Sequence, residues 1–225
     1  MKKKYLAIIP SRKGSKRVKN KNLQKINGQS LIDRTVKEAL KCKSISSICI
    51  STDIKKATNF SKKKLLIIQR PKKLCNDVSK TEEAILHCIK FYKNIINKEF
   101  ENIILLQTTS PFRTSIDINN AIKNYERNRA DSLFSGVKTK QFIWKKNKYF
   151  YSSNFNYKKR QRTQNMSHDY IENGAIFIFK TKKFLKYKNR LFGKISFSEM
   201  NLINSFEIDD MNDLKLGKKI AKTIL

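Results

Sequence analysis

The sequence predicts an α/β fold, a doubly wound, mixed and mostly parallel sheet, from three observations. Short β-branched and aliphatic runs alternate with longer segments whose apolar residues recur at helical spacing. The most distinctive polar and charged residues follow those short runs directly, at the carboxyl ends of the predicted strands, where open α/β sheets bind ligands. A chain of 225 residues suits one such domain with a full core and is short for two, so residues 1–225 are read as a single domain.

The first predicted strand covers residues 5–9, an apolar run that stops at Pro10. Residues 11–22 then read as charge without core. Arg12, Lys13, Lys16, Arg17, Lys19 and Lys21 surround a bend at Gly14 and Ser15, and no acidic residue is present. A buried strand opening into a basic, glycine-containing loop gathers cations and free backbone N–H groups, a seat for a polyphosphate. Neither the P-loop pattern nor the three-glycine dinucleotide fingerprint occurs in it. Asn27-Gly28 signals a turn, and Leu31, Ile32, Val36, Ala39 and Leu40 make residues 30–42 an amphipathic helix. Residues 45–51 form the second strand. Asp53, just beyond, is expected to cap a helix over residues 54–62, with contact to a ligand as the alternative.

Residues 65–69 are the third strand, followed by Arg70-Pro71. The pattern Ala84, Ile85, His87, Cys88, Ile89, Tyr92 predicts a helix over residues 80–93, with the hydroxyl of Ser79 or Thr81 placed to cap it, to contact a ligand, or both. His87 lies on the apolar stripe and reads as a satisfied core histidine. The next landmark is NIILLQTTSPFR, residues 102–113. Its aliphatic run is a central strand, and Gln107, Thr108, Thr109 and Ser110 crowd the strand's end before Pro111 forces a turn. Amides and hydroxyls both donate and accept, which suits reading a pyrimidine edge or sugar hydroxyls. A helix over residues 116–127 and a strand over 133–137 follow.

Between 138 and 169 the strand-helix rhythm is lost and aromatic residues accumulate, among them Phe142, Trp144, Tyr149, Phe150, Tyr151, Phe155 and Tyr157. An excursion from the sheet that packs against another subunit would need such residues. Residues 170–179 join Asn173-Gly174 to a strong strand, and Gly174 there allows a positive φ or a close approach. Residues 184–194 read as helix and then loop. In FEIDDMND, residues 206–213, Glu207 and Asp209 stand two apart on one face of an extended segment. Two carboxylates projecting together in a chain of net charge +32 are explained by a divalent cation, while Asp213 is expected to cap or orient the last helix, residues 214–224.

The net charge by itself suggests nucleic acid, but the lysines run evenly through the chain alongside many asparagines, and no helix-turn-helix, zinc-finger spacing or RNA-binding aromatic signature accompanies them. Specific nucleic-acid binding is therefore not expected. The four cysteines show no Cys-x-x-Cys pairing and read as reduced thiols. With only His87 and His168, a histidine-based metal site or a Ser-His-Asp triad is poorly supplied, so the chemistry must run on Arg, Lys and carboxylates. No apolar run approaches the roughly 18–20 residues of a membrane span, and no signal-peptide core is seen at the amino terminus, so a cytoplasmic protein is expected.

The segment Ile9, Pro10, Arg12, Gly14, Ser15, Lys16, Lys21, Asn22 resembles the opening signature of the acylneuraminate (CMP-sialic acid synthetase) cytidylyltransferases, with Ser11 and Lys19 in place of the usual alanine and proline. The resemblance continues in order through Arg70-Pro71, then Gln107, Thr109, Ser110, Pro111 and Arg113, with Thr108 in a usual proline position. It extends to the Tyr-x-Glu-Asn-Gly run ending at Gly174 and to the acidic pair, where Glu207 replaces an aspartate. It implies a nucleotide-diphospho-sugar transferase type of sheet, CTP as co-substrate, Mg²⁺ or Mn²⁺ as cofactor, an acidic nine-carbon sugar as acceptor, and a homodimer built on the 138–169 excursion; the alternatives are a cytidylyltransferase for the eight-carbon acid Kdo and, from another class, a basic RNA-binding protein. The resemblance assigns Arg12, Lys21 and Asp209 to catalysis. It places Arg12, Ser15, Lys16, Lys21, Asn22, Arg70 and Thr81 on the nucleotide. Gln107, Thr109, Ser110, Arg162 and Asn173 fall on the sugar, and Asp209 with Glu207 on the metal.

Overall fold

The computed structural model describes residues 5–224. The chain opens with β1 (Tyr5–Ser11), a small ribbon of β2 (Lys25–Ile26) and β3 (Gln29–Ser30), and α1 (Leu31–Lys41). It continues through β4 (Ile45–Thr52), β5 (Leu65–Gln69), α2 (Thr81–Asn94), β6 (Asn102–Leu106), α3 (Ser115–Arg127) and β7 (Ser132–Thr139). After a hairpin of β8 (Trp144–Lys146) and β9 (Phe150–Ser152) come β10 (Asp169–Lys180), α4 (Thr181–Tyr187), β11 (Ile195–Glu199) and α5 (Met211–Ile224).

The main sheet has the order β11-β7-β10-β6-β1-β4-β5. β10 runs antiparallel to β6 and β7, and the remaining pairings are parallel. The mixed, mostly parallel sheet expected from the alternation is thus present. Its faces are covered separately, as the period-2 alternation of side chains requires. Tyr5, Ala7 and Ile9 of β1 pack with Ile32, Val36 and Ala39 of α1 and with Ile118, Ala121 and Ile122 of α3. Leu6 and Ile8 face the other way, onto Ile85, Cys88 and Ile89 of α2, alongside Phe179 and Phe184.

From β1 the chain proceeds outward to β4 and β5, then returns to place β6 on the opposite side of β1. The strand order therefore reverses between β1 and β6, and a crevice opens at their carboxyl ends. Pairing of β1 to β6 ends at Ile8 with Leu105, two residues before Pro10, whose missing N–H breaks no ladder bond there. The two most unusual loops in the sequence thus face each other across one gap.

Several expectations are corrected. Residues 54–62 form turns and irregular chain, not a helix; Ile54 and Ala57 are buried in the core and Phe60 packs against it without helical structure, and Asp53 uses its carboxylate to accept the Lys13 N–H. β11 was not expected. Its apolar residues alternate with serines, and its pairing partner β7 lies more than fifty residues back in the chain. The helix placed at residue 184 begins at Thr181. Neither Ser79 nor Thr81 caps α2 with its hydroxyl; Glu83 folds back so that its carboxylate accepts the Lys80 N–H at 3.1 Å. His87 is not a satisfied core histidine, because its buried Nδ1 has no partner among the described residues.

The 138–169 excursion is partly ordered as strand. β7 and β10 extend beyond the sheet, pairing Gly136 with Glu172 through to Thr139 with Asp169, and the β8–β9 hairpin lies at the far end. Phe142 and Phe155 meet edge to face with centroids 4.6 Å apart, and the Arg160 guanidinium sits 4.0 Å from the Phe142 centroid. Trp144, Tyr149, Phe150 and Tyr157 are exposed. Among the described residues no helix is long and apolar enough to cross a membrane.

Candidate active site

The crevice between β1 and β6 is a cavity of about 460 Å³. It is lined by Arg12, Ser15, Lys16, Arg17 and Lys21 of the loop after β1, by Arg70, Asp77, Lys80 and Thr81 between β5 and α2, by Gln107, Thr108 and Thr109 after β6, and by Asp209. Each part of the lining is held by contacts that can be traced to sequence.

The basic loop is not without core. Val18 is fully buried, packed with Ile26, Leu31 and Phe112 and with Ile208, Leu214 and Ala221 of the carboxyl-terminal segment. This cluster draws α5 over the loop after β1. Polar contacts then set the loop's path. The Lys13 N–H donates to Asp53 Oδ1 at 2.6 Å, and Asn22 Nδ2 donates to the Arg12 carbonyl at 2.8 Å. The Thr108 hydroxyl donates to Asn22 Oδ1. Asn22 therefore clasps the loop to the strand end after β6, with both its amide groups spent.

The acidic segment is fastened to the same strand end. The Ile208 N–H donates to the Thr109 carbonyl at 2.9 Å, and the Thr109 hydroxyl donates to Glu207 Oε1 at 2.8 Å. Asp213 accepts the N–H groups of Asp209 and Asp210 at 2.8 and 2.9 Å, so it orients the turn as expected, while Asp210 caps α5 by accepting from Asn212 and Asp213. Lys21 joins the two halves. Its ammonium donates to the Ile208 carbonyl at 2.9 Å and lies 3.4 Å from Asp209 Oδ1. Cations that follow the first strand and carboxylates that precede the last helix thus meet at one place.

The electrostatics follow burial. Burial pushes the Glu207 carboxyl above its ordinary range, helped by Asp209 and Asp213 and opposed by the Thr109 hydrogen bond and Lys21. Arg70 is buried beneath the cleft, with Nε donating to Ser51 Oγ at 3.1 Å and Nη2 to the Ser51 carbonyl at 2.8 Å; burial lowers its pKa. Six cationic residues (Arg12, Lys16, Arg17, Lys21, Arg70 and Lys80) share the cleft with Asp77 and Asp209. Such a cleft focuses a positive field that attracts a polyanion.

Of the residues singled out from sequence, Arg12, Ser15, Lys16, Lys21, Asn22, Arg70, Thr81, Gln107, Thr109 and Asp209 line the one cavity. Glu207 stands immediately behind Thr109. Gly174, at φ +66°, brings β10 close to it: a Cβ there would lie 3.4 Å from Glu207 Oε1 and 3.6 Å from Gln107 Oε1. Three residues are not brought into the cleft. Ser110 is buried with its hydroxyl lacking a protein partner. Asn173 fills the irregularity of β10, accepting from Ser135 Oγ at 2.7 Å and the Ala175 N–H at 3.1 Å, and donating to Ser205 Oγ at 2.9 Å. Its amide serves the fold. Arg162 is exposed on the excursion.

Sequence reasoning missed Asp77 and the bracing role of Asp53. The signal for Asp77 was present, since it is the only acid between Arg70 and Lys80.

A doubly wound sheet with a cation-lined cleft at its switch point defines an α/β protein built to bind a polyanion there. Comparison narrows this. A family model described as Cytidylyltransferase matches residues 6–223, and the chain belongs to that family. It is 32% identical to an N-acylneuraminate cytidylyltransferase of Escherichia coli O18:K1:H7 over 99% of this chain and 53% of that one. It is 26% identical to a pseudaminic acid cytidylyltransferase of Campylobacter jejuni over 97% of each. The chain thus spans about half of the first relative and nearly all of the second. A solved structure of CMP:2-keto-3-deoxy-manno-octonic acid synthetase complexed with CTP superposes with a TM-score of 0.70 at 15% identity, covering 99% of this chain and 100% of that one, which is likeness of fold.

Proposed function

We propose that the protein transfers CMP from CTP to the anomeric hydroxyl of an acidic nine-carbon sugar, a sialic acid or a related nonulosonic acid, releasing pyrophosphate. The observation that carries this reading is the meeting of Lys21 with Asp209 in the cleft that Arg12 also lines, in a chain of the cytidylyltransferase family.

In this reading the sugar hydroxyl attacks the α-phosphorus in line, and the protein positions the reactants and stabilises charge. Arg12 and Lys21 hold the β- and γ-phosphates that depart as pyrophosphate, with Lys16 beside them. Arg70, Asn22, Ser15 and Thr81 flank the nucleotide, and Gln107 with Thr109 faces the sugar. Among the described residues no group of three or more His, Cys, Asp and Glu side chains could hold a metal alone. That donor set suits Mg²⁺ or Mn²⁺ carried largely by phosphate oxygens and water, because Mg²⁺ dehydrates reluctantly and takes one or two carboxylates. Asp209, more than half exposed at the cleft, is the residue placed to ligate it, and Glu207 is the second donor, although one of its oxygens is held by Thr109. When bound, the metal neutralises phosphate charge.

A homodimer through the aromatic 138–169 excursion completes the proposal. Its exposed Trp144, Tyr149 and Phe150 have the character of interface residues. Arg162 on that excursion is assigned to the sugar carboxylate, and because it does not line its own chain's cleft, this pairing depends on the assembled dimer.

The direct test incubates the protein with CTP, Mg²⁺ and a panel of nonulosonic acids plus the eight-carbon acid Kdo, reading CMP-sugar by mass and pyrophosphate release. A nine-carbon product is expected; a product from Kdo alone would reassign the acceptor, and no pyrophosphate from any sugar would refute transfer. In the same assay Asp209→Asn is expected to raise the Mg²⁺ concentration at half-maximal rate by about tenfold, as loss of an anionic ligand should. An unchanged metal titration would place the metal elsewhere.

A further inference from the structure

Two cations of the basic loop, Arg12 and Lys16, already have an anion. Asp77 Oδ1 lies 2.8 Å from Arg12 Nη1, and Asp77 Oδ2 lies 2.8 Å from Lys16 Nζ. One carboxylate thus spans two cations with one oxygen each, the arrangement a phosphate group would adopt between them. The two cations draw its pKa down, so it is ionised at neutral pH. The turn that carries it is preformed: the Ser79 N–H and hydroxyl both donate to Asn76 Oδ1, at 2.8 and 2.7 Å.

We propose that Asp77 is a displaceable counter-anion at the phosphate seat of the cleft and gives up Arg12 and Lys16 only to a ligand that also engages the cations deeper in the cleft. The proposal rests on the polyphosphate reading of the site.

Three features carry it. The pairs are solvent-exposed, with side-chain exposures of 33% for Arg12, 81% for Lys16 and 40% for Asp77, so they are weak and readily exchanged. The competing charges deeper in the cleft, on Lys21 and Arg70, have no contact with Asp77, so only a chain of phosphates reaches both groups. And no acidic residue lies between Ser11 and Asn22, so Arg12 and Lys16 take their counter-charge from outside the loop, from Asp77, as Lys21 does from Asp209. A small anion gains little by displacing Asp77, whereas a triphosphate offsets the loss with contacts the carboxylate cannot make. The carboxylate that yields to the triphosphate also competes for the same cations once pyrophosphate has formed, which favours release. Asp77 is in this sense a specificity-determining residue.

The test is calorimetric titration of the full chain, without metal, by CTP and by inorganic triphosphate, for the wild type, Asp77→Asn, Asp77→Ser and Glu99→Gln. Glu99 pairs with Lys93 just before the amino end of β6, away from the cleft, and its change removes one charge as the Asp77 variants do. Both Asp77 variants are expected to bind triphosphate and CTP roughly three- to tenfold more tightly than the wild type, the range that two exposed ion pairs allow, with Glu99→Gln unchanged. Equal or weaker binding by the Asp77 variants would overturn the proposal, as would an equal gain in Glu99→Gln, which would make the effect one of net charge. The two variants fail independently if either folds poorly. Wild-type protein that binds neither ligand, with no binding by the variants, would sink the polyphosphate reading and the counter-anion together; wild-type binding with no gain in the variants would sink the counter-anion alone.

Discussion

Arg12→Ala is expected to lower turnover by about 10² or more at saturating CTP, because in the proposed reaction Arg12 meets charge that grows on the leaving pyrophosphate. Arg12 follows β1 directly, its carbonyl is fixed by Asn22, and its guanidinium faces the cleft. A guanidinium presents a planar fork to phosphate oxygens, so Arg12→Lys should restore only part of the loss, since a point charge keeps the attraction without the geometry. The fold should not register the change. The side chain makes one exposed ion pair, and exposed pairs contribute about 0–1 kcal/mol. The measurement is steady-state pyrophosphate release over a CTP titration, beside a thermal melt. Near-wild-type turnover at saturating CTP would remove Arg12 from the transition state, and a rise in KM alone would assign it to ground-state binding.

Arg113→Ala is expected to have its large effect on stability. Arg113 is 2% exposed, and its Nη1 donates to the Gln107 carbonyl at 2.6 Å and to the Ala175 carbonyl at 3.0 Å, tying the strand end after β6 to the irregularity in β10. Burial pushes its pKa down to about 10, against the pull of Asp117 and Glu38, so it stays charged at neutral pH. Truncation leaves two buried carbonyls without that donor, at about 1–3 kcal/mol each, and opens a void. Nε and Nη2 already lack protein partners, which offsets part of the loss. A net decrease of about 2–5 kcal/mol is a large fraction of the roughly 5–15 kcal/mol available to a domain. At about 2–4 °C per kcal/mol for a chain of this size, the melting temperature should fall by several degrees at least. A fall below about 2 °C would show that water replaces the guanidinium without penalty.

These two arginines mark the division between what could be read from the chain and what could not. Arg12 was legible because its neighbourhood is local: a strand, a bend and a run of cations, contiguous from Tyr5 to Asn22. The strands and helices were legible for the same reason, since a period of 2 or 3.6 residues is a property of a short window. The helix expected over 54–62 failed although Ile54, Ala57 and Phe60 do reach the core, because Asp53, its expected cap, turns its carboxylate to the Lys13 N–H of a distant loop. β11 escaped because a short alternating strand gains most of its meaning from its partner.

Asn173 shows the limit at the site itself. It sits in a stretch that resembles the family, and the resemblance assigned it to a ligand. In the fold its amide bonds Ser135, Ala175 and Ser205, whereas Asn22, which bonds Arg12 and Thr108, lines the cleft. An asparagine looks the same in sequence whether its donors face a ligand or a carbonyl.

The sequence by itself determined the α/β alternation, the cation-rich loop after the first strand, the polar end of the central strand and the acidic pair before the last helix. Only the tertiary structure decided that these meet. Val18, one apolar residue among cations, is buried against Leu214 and Ala221 and so brings α5 to the first loop, after which Lys21 can reach Asp209. A contact between residues nearly two hundred positions apart depends on packing, which leaves no periodic mark in either segment, and the same holds for Asp77, whose partners are chosen by the space between two loops.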